Sequence, residues 1–200
     1  GQVVVIAHDS KSLTSQERVN NFIAEIQNNH PNMSVAGPYY MDQIDDIKKT
    51  IAEQQLDIVP VEGQEFDEEQ QTALDDAIAQ ITDEDIYNYI LEMNPDVKGI
   101  FATNGDTTMQ ALTACEGKDM KDVVIMGYDA DQEEIDAMKD GRIAGMIVQN
   151  PYGMGYATVV AEARCALNMG NEANVNTGYT WVTPDNIEDR TVQDILYAEK

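Results

Sequence analysis

Three apolar runs in the second half of the chain, each ended by a polar residue, constrain the fold more than any other feature. The runs end at Asn104, Asp129 and Gln149, and helical patterns separate them. Such runs predict buried parallel strands, whose carboxyl ends face the crevice where an open α/β sheet binds its ligands. An amide, a carboxylate and a second amide are therefore expected on one rim. That set suits a small, uncharged, hydroxyl-rich ligand.

The same alternation of strand and helix patterns extends through the whole chain. A helical stripe follows the N-cap candidate Ser15, and Gly37-Pro38 is expected to stop the second strand. Strands are predicted at residues 2–7, 33–36, 99–103, 123–127, 145–148 and 179–183. Strands that alternate with helices of about ten or more residues imply right-handed crossovers. The predicted fold is α/β, a doubly wound, mainly parallel sheet in a three-layer αβα arrangement.

Residues 56–82 do not fit a plain strand–helix repeat. A strand is compatible with residues 56–61, whereas the acidic stretch 62–82 places Leu74, Ile78 and Ile81 at helical spacing. We therefore treat residues 56–82 as an acidic insertion. Near the other end, a helix is predicted over 152–168, and a polar tail is expected after the last strand.

The strongly acidic composition limits the choice of partners. A net charge of −25, from 12 Lys and Arg against 37 Asp and Glu, repels phosphate backbones and anionic lipids. Nucleic acid is therefore not an expected partner of this part of the molecule. No apolar run approaches the roughly 20 residues that span a bilayer, so direct membrane insertion is not expected. The chain opens on a strand pattern without the parts of a signal peptide, which suggests a mature or truncated chain.

The titratable and thiol side chains indicate neither a metal nor a cofactor. His8 and His30 have no Cys or His at ligand spacing beside them. Cys115 and Cys165 lie far apart within predicted helices, which favours two unpaired thiols over a disulfide.

Four short sequence motifs follow one another along the chain: Asn104, Gly127-Tyr128-Asp129-Ala130, Gly141-Arg142-Ile143-Ala144-Gly145 and Gln149-Asn150-Pro151-Tyr152. In this order they resemble the type I periplasmic sugar-binding proteins, whose core is also the ligand-binding part of lactose-repressor-type regulators. The resemblance implies two similar α/β lobes that close around a ligand, with the chain crossing between them three times.

The resemblance also implies a division of the chain. Residues 1–149 are expected to form the second, C-terminal lobe, with the first half of the usual chain absent. Residues 150–178 are expected to supply a crossover helix and strand to the absent first lobe, and residues 179–200 a return strand and tail. Asn150, Pro151 and Val182 are expected at the hinge.

By the same resemblance, sugar hydroxyls would contact Arg18, Asn104, Asp129 and Gln149, and Tyr40 or its neighbour Tyr39 would present an aromatic face to the sugar ring. The chemistry is suitable, because a carboxylate accepts bonds from two vicinal hydroxyls and a guanidinium donates two parallel ones.

Structural roles remain open for the same residues. Asn104 and Asp129 are each placed to cap the helix that follows, and Gln149 is placed to hydrogen-bond at a hinge. Arg18 has the alternative of an ion pair with Glu17 or another acid on a solvated helix.

The function that agrees with these observations is binding without catalysis. A small sugar or polyol would be recognised for a transporter or a sensory system, with a membrane permease or sensor component as partner. The resemblance implies a periplasmic or extracellular location, and a lipid anchor on the full-length protein is compatible with it. One alternative is the effector-binding core of a lactose-repressor-type regulator. Another is a magnesium-dependent phosphatase or phosphoacceptor domain that uses Asp9 and Asp129, although no lysine follows the strand that ends at Gln149.

Overall fold

A six-stranded sheet forms the centre of the molecule in the computed structural model, which describes residues 1–58 and 66–196. Its strands are β1 (Gln2–Ala7), β2 (Ser34–Tyr40), β3 (Val97–Ala102), β4 (Val124–Tyr128), β5 (Gly145–Gln149) and β6 (Tyr179–Val182). The strand order is β2-β1-β3-β4-β5-β6, and all neighbours are parallel except the antiparallel pair β5–β6. The predicted α/β class with a mainly parallel sheet is confirmed.

Helices cover both faces of this sheet. They are α1 (Leu13–Asn29), α2 (Asp45–Gln55), α3 (Glu68–Gln80), α4 (Asp83–Met93), α5 (Gly105–Gly117), α6 (Gln132–Lys139), α7 (Pro151–Ala166) and α8 (Arg190–Gln193). Val3 and Val5 of β1 join one buried cluster with α1, whereas Val4 and Ile6 join a larger one with α2, α4, α5 and α6. Alternate residues of a strand point to opposite faces, so the arrangement has three layers, as predicted.

The N-cap of the first helix lies three residues before the predicted cap, Ser15. Ser12 is the N-cap, and its hydroxyl accepts a hydrogen bond from the Ser15 backbone N–H at 3.3 Å. Ser15 is buried inside the helix, where its hydroxyl donates to the Asp9 carbonyl. The Asp9 carboxylate accepts from the Lys11 and Ser12 backbone N–H groups, and this turn starts the helix early.

The second strand continues past Gly37-Pro38, where the sequence predicted its end. Gly37 has a φ of +90°, a value that glycine adopts without a steric penalty. Pro38 supplies no backbone N–H, but β2 lies at the edge of the sheet, where that donor has no partner strand to serve.

The acidic insertion contains the predicted helix, and residues 56–58, the described part of the possible strand over 56–61, form no strand. Leu56 and Asp57 end α2 in a turn, and residues 59–65 lie outside the described part of the chain. Helix α3 starts with a capping box between Asp67 and Gln70 and lies against α2, with Leu74 2% exposed.

Residues 183–196, which follow β6, are packed on the core where the sequence predicted a polar tail. Ile187, Val192 and Leu196 are buried in the larger core cluster, beside residues of α6 and β5. The short helix α8 brings Val192 to this cluster. Apolar residues spaced within a mostly polar segment are enough to hold it on the core.

Helix α7 differs from the other long helices because it has no buried residue. Its exposed apolar side chains include Tyr152, Met154, Tyr156 and Val159. Tyr152 and Tyr156 stack with ring centroids 6.4 Å apart. None of the described helices combines the length and apolar character that crossing a bilayer requires. Cys115 is buried and Cys165 is exposed, and both are free thiols.

We expect Gly127→Ala to lower the free energy of unfolding by about 1–3 kcal/mol, because a methyl group has no room there. A Cβ at Gly127 would overlap the hydroxyl of Thr108, which is fully buried, and lie 2.9 Å from its Cβ. Urea denaturation of the purified chain measures the change. Gly117→Ala is the control, since a Cβ at that helical position meets open space. An equal loss in both variants would contradict the steric cause.

Candidate functional site

The carboxyl ends of β1, β3, β4 and β5 lie along one edge of the sheet. Backbone bonds join neighbouring ends: the Thr103 N–H donates to the Ile6 carbonyl at 3.1 Å, and the Asp129 N–H to the Ile147 carbonyl at 3.2 Å. The His8 N–H donates to the Thr103 hydroxyl at 3.1 Å. The residues that follow these strands therefore share one edge, as the sequence predicted for a parallel sheet.

Arg18 reaches this edge from α1 and connects two strand ends. Its Nη1 donates to the Thr103 carbonyl at 2.5 Å, and its Nη2 donates to Gln149 Oε1 at 3.3 Å. Its guanidinium lies over the Tyr128 ring, 4.0 Å from the centroid. The structure therefore does not place Arg18 in an ion pair on a solvated helix. It places this side chain, half-buried, between the predicted ligand residues.

Stacked aromatic rings support the Arg18 guanidinium. Tyr128 meets Phe101 edge-on at 6.0 Å, and Phe101 stacks on Phe22 of α1 at 4.1 Å between centroids. Burial raises the pKa of the Tyr128 phenol, more than offsetting the opposite effect of Arg18, so the ring stays neutral. The sequence analysis missed Tyr128 as a functional residue. Its place one residue before Asp129 was the available signal.

Asn104 caps helix α5, so the structural alternative for this residue is confirmed. Its Oδ1 accepts from the Thr107 backbone N–H at 3.1 Å and from the Thr107 hydroxyl at 2.6 Å. The Thr107 hydroxyl also lies 3.3 Å from the Asn104 N–H, which completes a capping box. Within residues 1–58 and 66–196, Asn104 Nδ2 has no hydrogen-bond partner. The cap therefore leaves the amide donors available.

Asp129 follows β4 in a left-handed backbone conformation, with a φ of +73°. Its Oδ2 accepts from the Gly105 backbone N–H at 3.0 Å, at the start of α5. The N-cap of α6 is Asp131, so Asp129 does not cap the helix that follows it. Positive φ in a residue other than glycine costs about 1–3 kcal/mol and is frequent at functional sites. Oδ1 has no partner among the described residues and is available to a ligand.

Gln149 ends β5 immediately before the chain turns into α7. Its Oε1 accepts from Arg18, and the described residues offer no partner to its Nε2. The next residue, Asn150, caps α7 by accepting from the Gly153 N–H at 2.8 Å and donates from Nδ2 to the Thr177 carbonyl at 3.1 Å. Pro151 is the first residue of α7, and Val182 is fully buried at the end of β6. Asn150 thus bonds the first turn of α7 and the segment that follows this helix.

The two tyrosines of the β2 end lie on different faces of the sheet. Tyr40 is half-buried against the cluster that includes Val5 and α1, while the Tyr39 hydroxyl accepts from Asn94 Nδ2 at 2.9 Å. An open cavity of about 240 Å³ lies next to Asn104. Met41, rather than Tyr39 or Tyr40, lines it together with His8, Ile44 and Tyr87. The contact of Tyr40 with a sugar ring remains a prediction.

Asp9 is fully engaged within its own turn. Its Oδ1 accepts from the Lys11 N–H at 2.7 Å, and its Oδ2 accepts from the Ser12 hydroxyl at 2.8 Å and lies 3.0 Å from His8 Nε2. Hydrogen bonds from Ser12 hold the pKa of Asp9 below its usual value. In the described residues, no group of three or more His, Cys, Asp and Glu side chains is placed to hold a metal ion.

Glu134 is a second residue that the sequence analysis missed. It is 2% exposed, and its Oε2 accepts from the Asp131 N–H at 2.7 Å in the first turn of α6. Burial raises the pKa of Glu134 to about 7, with further contributions from the charges of Asp131 and Asp129. The signal was an Asp–x–x–Glu capping box at residues 131–134.

Comparison with known proteins agrees with this arrangement. A family model described as periplasmic binding protein domain matches residues 1–166. The ribose import binding protein of Salmonella typhimurium is 35% identical over 66 residues, which are 33% of this chain and 22% of that protein. The ribose import binding protein of Bacillus subtilis is 24% identical over 105 residues, which are 52% of this chain and 30% of that protein.

Solved structures show the same fold. An ABC transporter solute-binding protein of Agrobacterium vitis with bound D-fucose has a TM-score of 0.74 at 23% identity, covering 98% of this chain and 56% of that one. A carbohydrate transporter solute-binding protein of Agrobacterium radiobacter in complex with D-arabinose has a TM-score of 0.73 at 23% identity, covering 98% and 55%. The chain therefore has the fold of a type I periplasmic sugar-binding lobe and spans about half the length of these proteins. The family model and these relatives are all described as binding proteins.

We expect Glu134→Gln to raise the free energy of unfolding by about 2 kcal/mol more at about pH 8.5 than at about pH 5.5. The folded pKa of about 7 exceeds the usual 4.5, so the native protein loses stability as the pH rises from 4.5 to about 7. Glutamine has no proton to release. Urea denaturation at both pH values measures the difference. Glu133→Gln, at an exposed neighbour, is the control. The difference in the free energy of unfolding between this variant and the unmodified chain should be the same at both pH values.

Proposed function

Because the chain belongs to the periplasmic binding protein domain family, we propose that it recognises a small sugar or polyol as part of a solute-binding protein for import. The observation that carries the proposal is the edge formed by Arg18, Asn104, Asp129 and Gln149. One polar atom of each of the last three is used in internal bonds, and another is open among the described residues. The domain binds without catalysis.

The open atoms match neutral hydroxyl groups. Asp129 Oδ1 accepts from a hydroxyl, while Asn104 Nδ2 and Gln149 Nε2 donate to hydroxyl oxygens. A carboxylate at the centre of the set disfavours an anionic ligand, and the net charge of −25 acts in the same direction. We place the Arg18 guanidinium beside the ligand, held over Tyr128, as a further donor.

We also propose that residues 1–149 form the second, C-terminal lobe, with residues 56–82 as an insertion, and that residues 150–178 pack on a first lobe outside these 200 residues. The absence of any buried residue in α7 supports this division, as does the run of exposed apolar side chains along it. Asn150, Pro151 and Val182 would then form the hinge. Residues 179–200 would return to the lobe of residues 1–149, on whose core Ile187 and Val192 are buried.

The partner of the complete protein would be a membrane permease or a sensor component, with the sugar bound in the periplasm or outside the cell. The description of the matching family as periplasmic supports this location. A lipid anchor on the full-length protein fits it as well. We favour import over the lactose-repressor type of gene control, because the acidic surface repels the phosphate backbone of DNA.

We expect neutral sugars to shift backbone amide signals at the ends of β3, β4 and β5 in a ¹⁵N-labelled sample of the chain. The probes are D-ribose, D-arabinose and D-fucose. Each is added to a concentration high enough to measure a dissociation constant of about 1 mM. Weak binding is expected since one lobe encloses only half of a ligand. Asp129→Ala should abolish the shifts and leave the fold intact, because it removes the acceptor at the centre of the edge.

Asp122→Ala is the matched control, as Asp122 is an exposed acid at the opposite end of β4. Its sugar titration should equal that of the unmodified chain. Unchanged signals with all three sugars, or shifts confined to another part of the lobe, would refute the proposed function. Micromolar affinity for the chain alone would refute the need for a second lobe.

We further expect the backbone amides of α7 to exchange with solvent faster than those of α4 or α5. An unburied helix opens locally at low cost, whereas α4 and α5 contribute several buried residues to the core. Hydrogen–deuterium exchange with mass spectrometry, at a concentration where the chain is monomeric, measures the difference. Equal protection of α7 and α5 in the monomer would contradict the proposed division into lobes.

A further inference from the structure

Gly105 lies between two carboxyl groups at the binding edge. Its backbone N–H donates to Asp129 Oδ2 at 3.0 Å. A Cβ built at Gly105 would overlap Glu134 Oε1 and lie 3.6 Å from Asp129 Oδ2. The start of α5 therefore contacts the Asp129 carboxylate through its N–H and the Glu134 carboxyl group through its Cα. The two acids are neighbours across one residue.

Glu134 has little access to solvent in this position. It is 2% exposed, and one of its oxygens accepts from the Asp131 N–H at 2.7 Å. The charged groups that face it are the acids Asp129 and Asp131 on the loop before α6. The element packed against it, α5, presents the Gly105 backbone and then Asp106, which shares an open cavity with Glu133.

No cationic side chain is therefore found beside Glu134 among the described residues. The surroundings contain like charges, so a negative charge on Glu134 would repel the Asp129 carboxylate through a poorly solvated space. Asp129 already holds a left-handed conformation that its bond to Gly105 helps to maintain. A repulsion at this point acts directly on the orientation of the residue proposed to bind the sugar.

We propose that Glu134 is a positioning residue for Asp129, and that its protonation state sets how well this edge binds a sugar. As a neutral acid, Glu134 allows Asp129 to hold the Gly105 N–H with Oδ2 and to offer Oδ1 to a hydroxyl. As a carboxylate, after releasing its proton to solvent, it displaces Asp129 from Gly105. This inference rests on the proposed function and adds a dependence on pH near neutrality. The pKa of about 7 for the buried Glu134 agrees with it.

The Gly105 amide signal of the ¹⁵N-labelled chain tests the positioning role without any sugar. Between about pH 5.5 and about pH 8.5, we expect a sigmoidal shift with a midpoint near 7 in the unmodified chain. Glu134→Gln should flatten this curve, and the exposed-site control Glu133→Gln should leave it unchanged. A flat curve in the unmodified chain, or an unchanged curve in Glu134→Gln, would overturn the proposal.

Asp129→Asn provides a second test that does not require a change at Glu134. Removal of the neighbouring negative charge should move the midpoint of the Gly105 curve to lower pH. An unchanged midpoint would show that the two acids do not interact and would overturn the proposal. This variant keeps the size of the side chain, so the turn before α6 retains its shape.

D-ribose binding supplies the functional readout. We expect the affinity of the unmodified chain to fall about threefold from about pH 6 to about pH 8.5, and that of Glu134→Gln to stay constant. Glu133→Gln should behave as the unmodified chain does. An equal fall in Glu134→Gln would overturn the proposal. If D-ribose and the other sugars leave every amide unchanged, the proposed function fails, while the Gly105 curve still decides the role of Glu134.

Discussion

The guanidinium of Arg18 is the contact on which the geometry of the binding edge depends. It joins the carbonyl of Thr103, after β3, to the side chain of Gln149 at the end of β5, and it lies over Tyr128 of the strand between them. A charged hydrogen bond and a cation–π contact each contribute about 1–2 kcal/mol. Their greater effect is geometric, because one side chain from α1 sets the positions of three strand ends.

The polar residues that follow the strands are also held by internal hydrogen bonds. Asn104 uses its oxygen to cap α5, Asp129 uses one oxygen to hold Gly105, and Gln149 uses its oxygen to accept from Arg18. The sequence analysis set a structural role against a ligand role for each of these residues. In the proposed function one side chain serves both roles, since an amide or a carboxylate carries two polar atoms with different directions.

The strands of the site could be predicted because burial on both faces of a parallel sheet produces continuous apolar runs. Tyr128 could not, because it belongs to such a run, and only the packing of α1 shows its contact with Arg18. Glu134 also escaped notice, since an acid in the first turn of a helix is ordinarily solvated. Its burial results from the approach of α6 to α5 at Gly105, a tertiary contact that no local pattern encodes.

Internal bonding of the edge has a consequence for the way a lobe of this kind binds. A ligand that must order flexible side chains loses about 0.5–1.5 kcal/mol for each one. Arg18, Asn104, Asp129 and Gln149 are already fixed by bonds to the backbone or to one another, so most of that cost is met when the chain folds. In the two-lobe arrangement that we propose, half of the enclosing surface is held in binding geometry before the other half closes over it. Asp129 has the least favourable local environment of these residues, because its backbone is strained and it lies next to a buried acid.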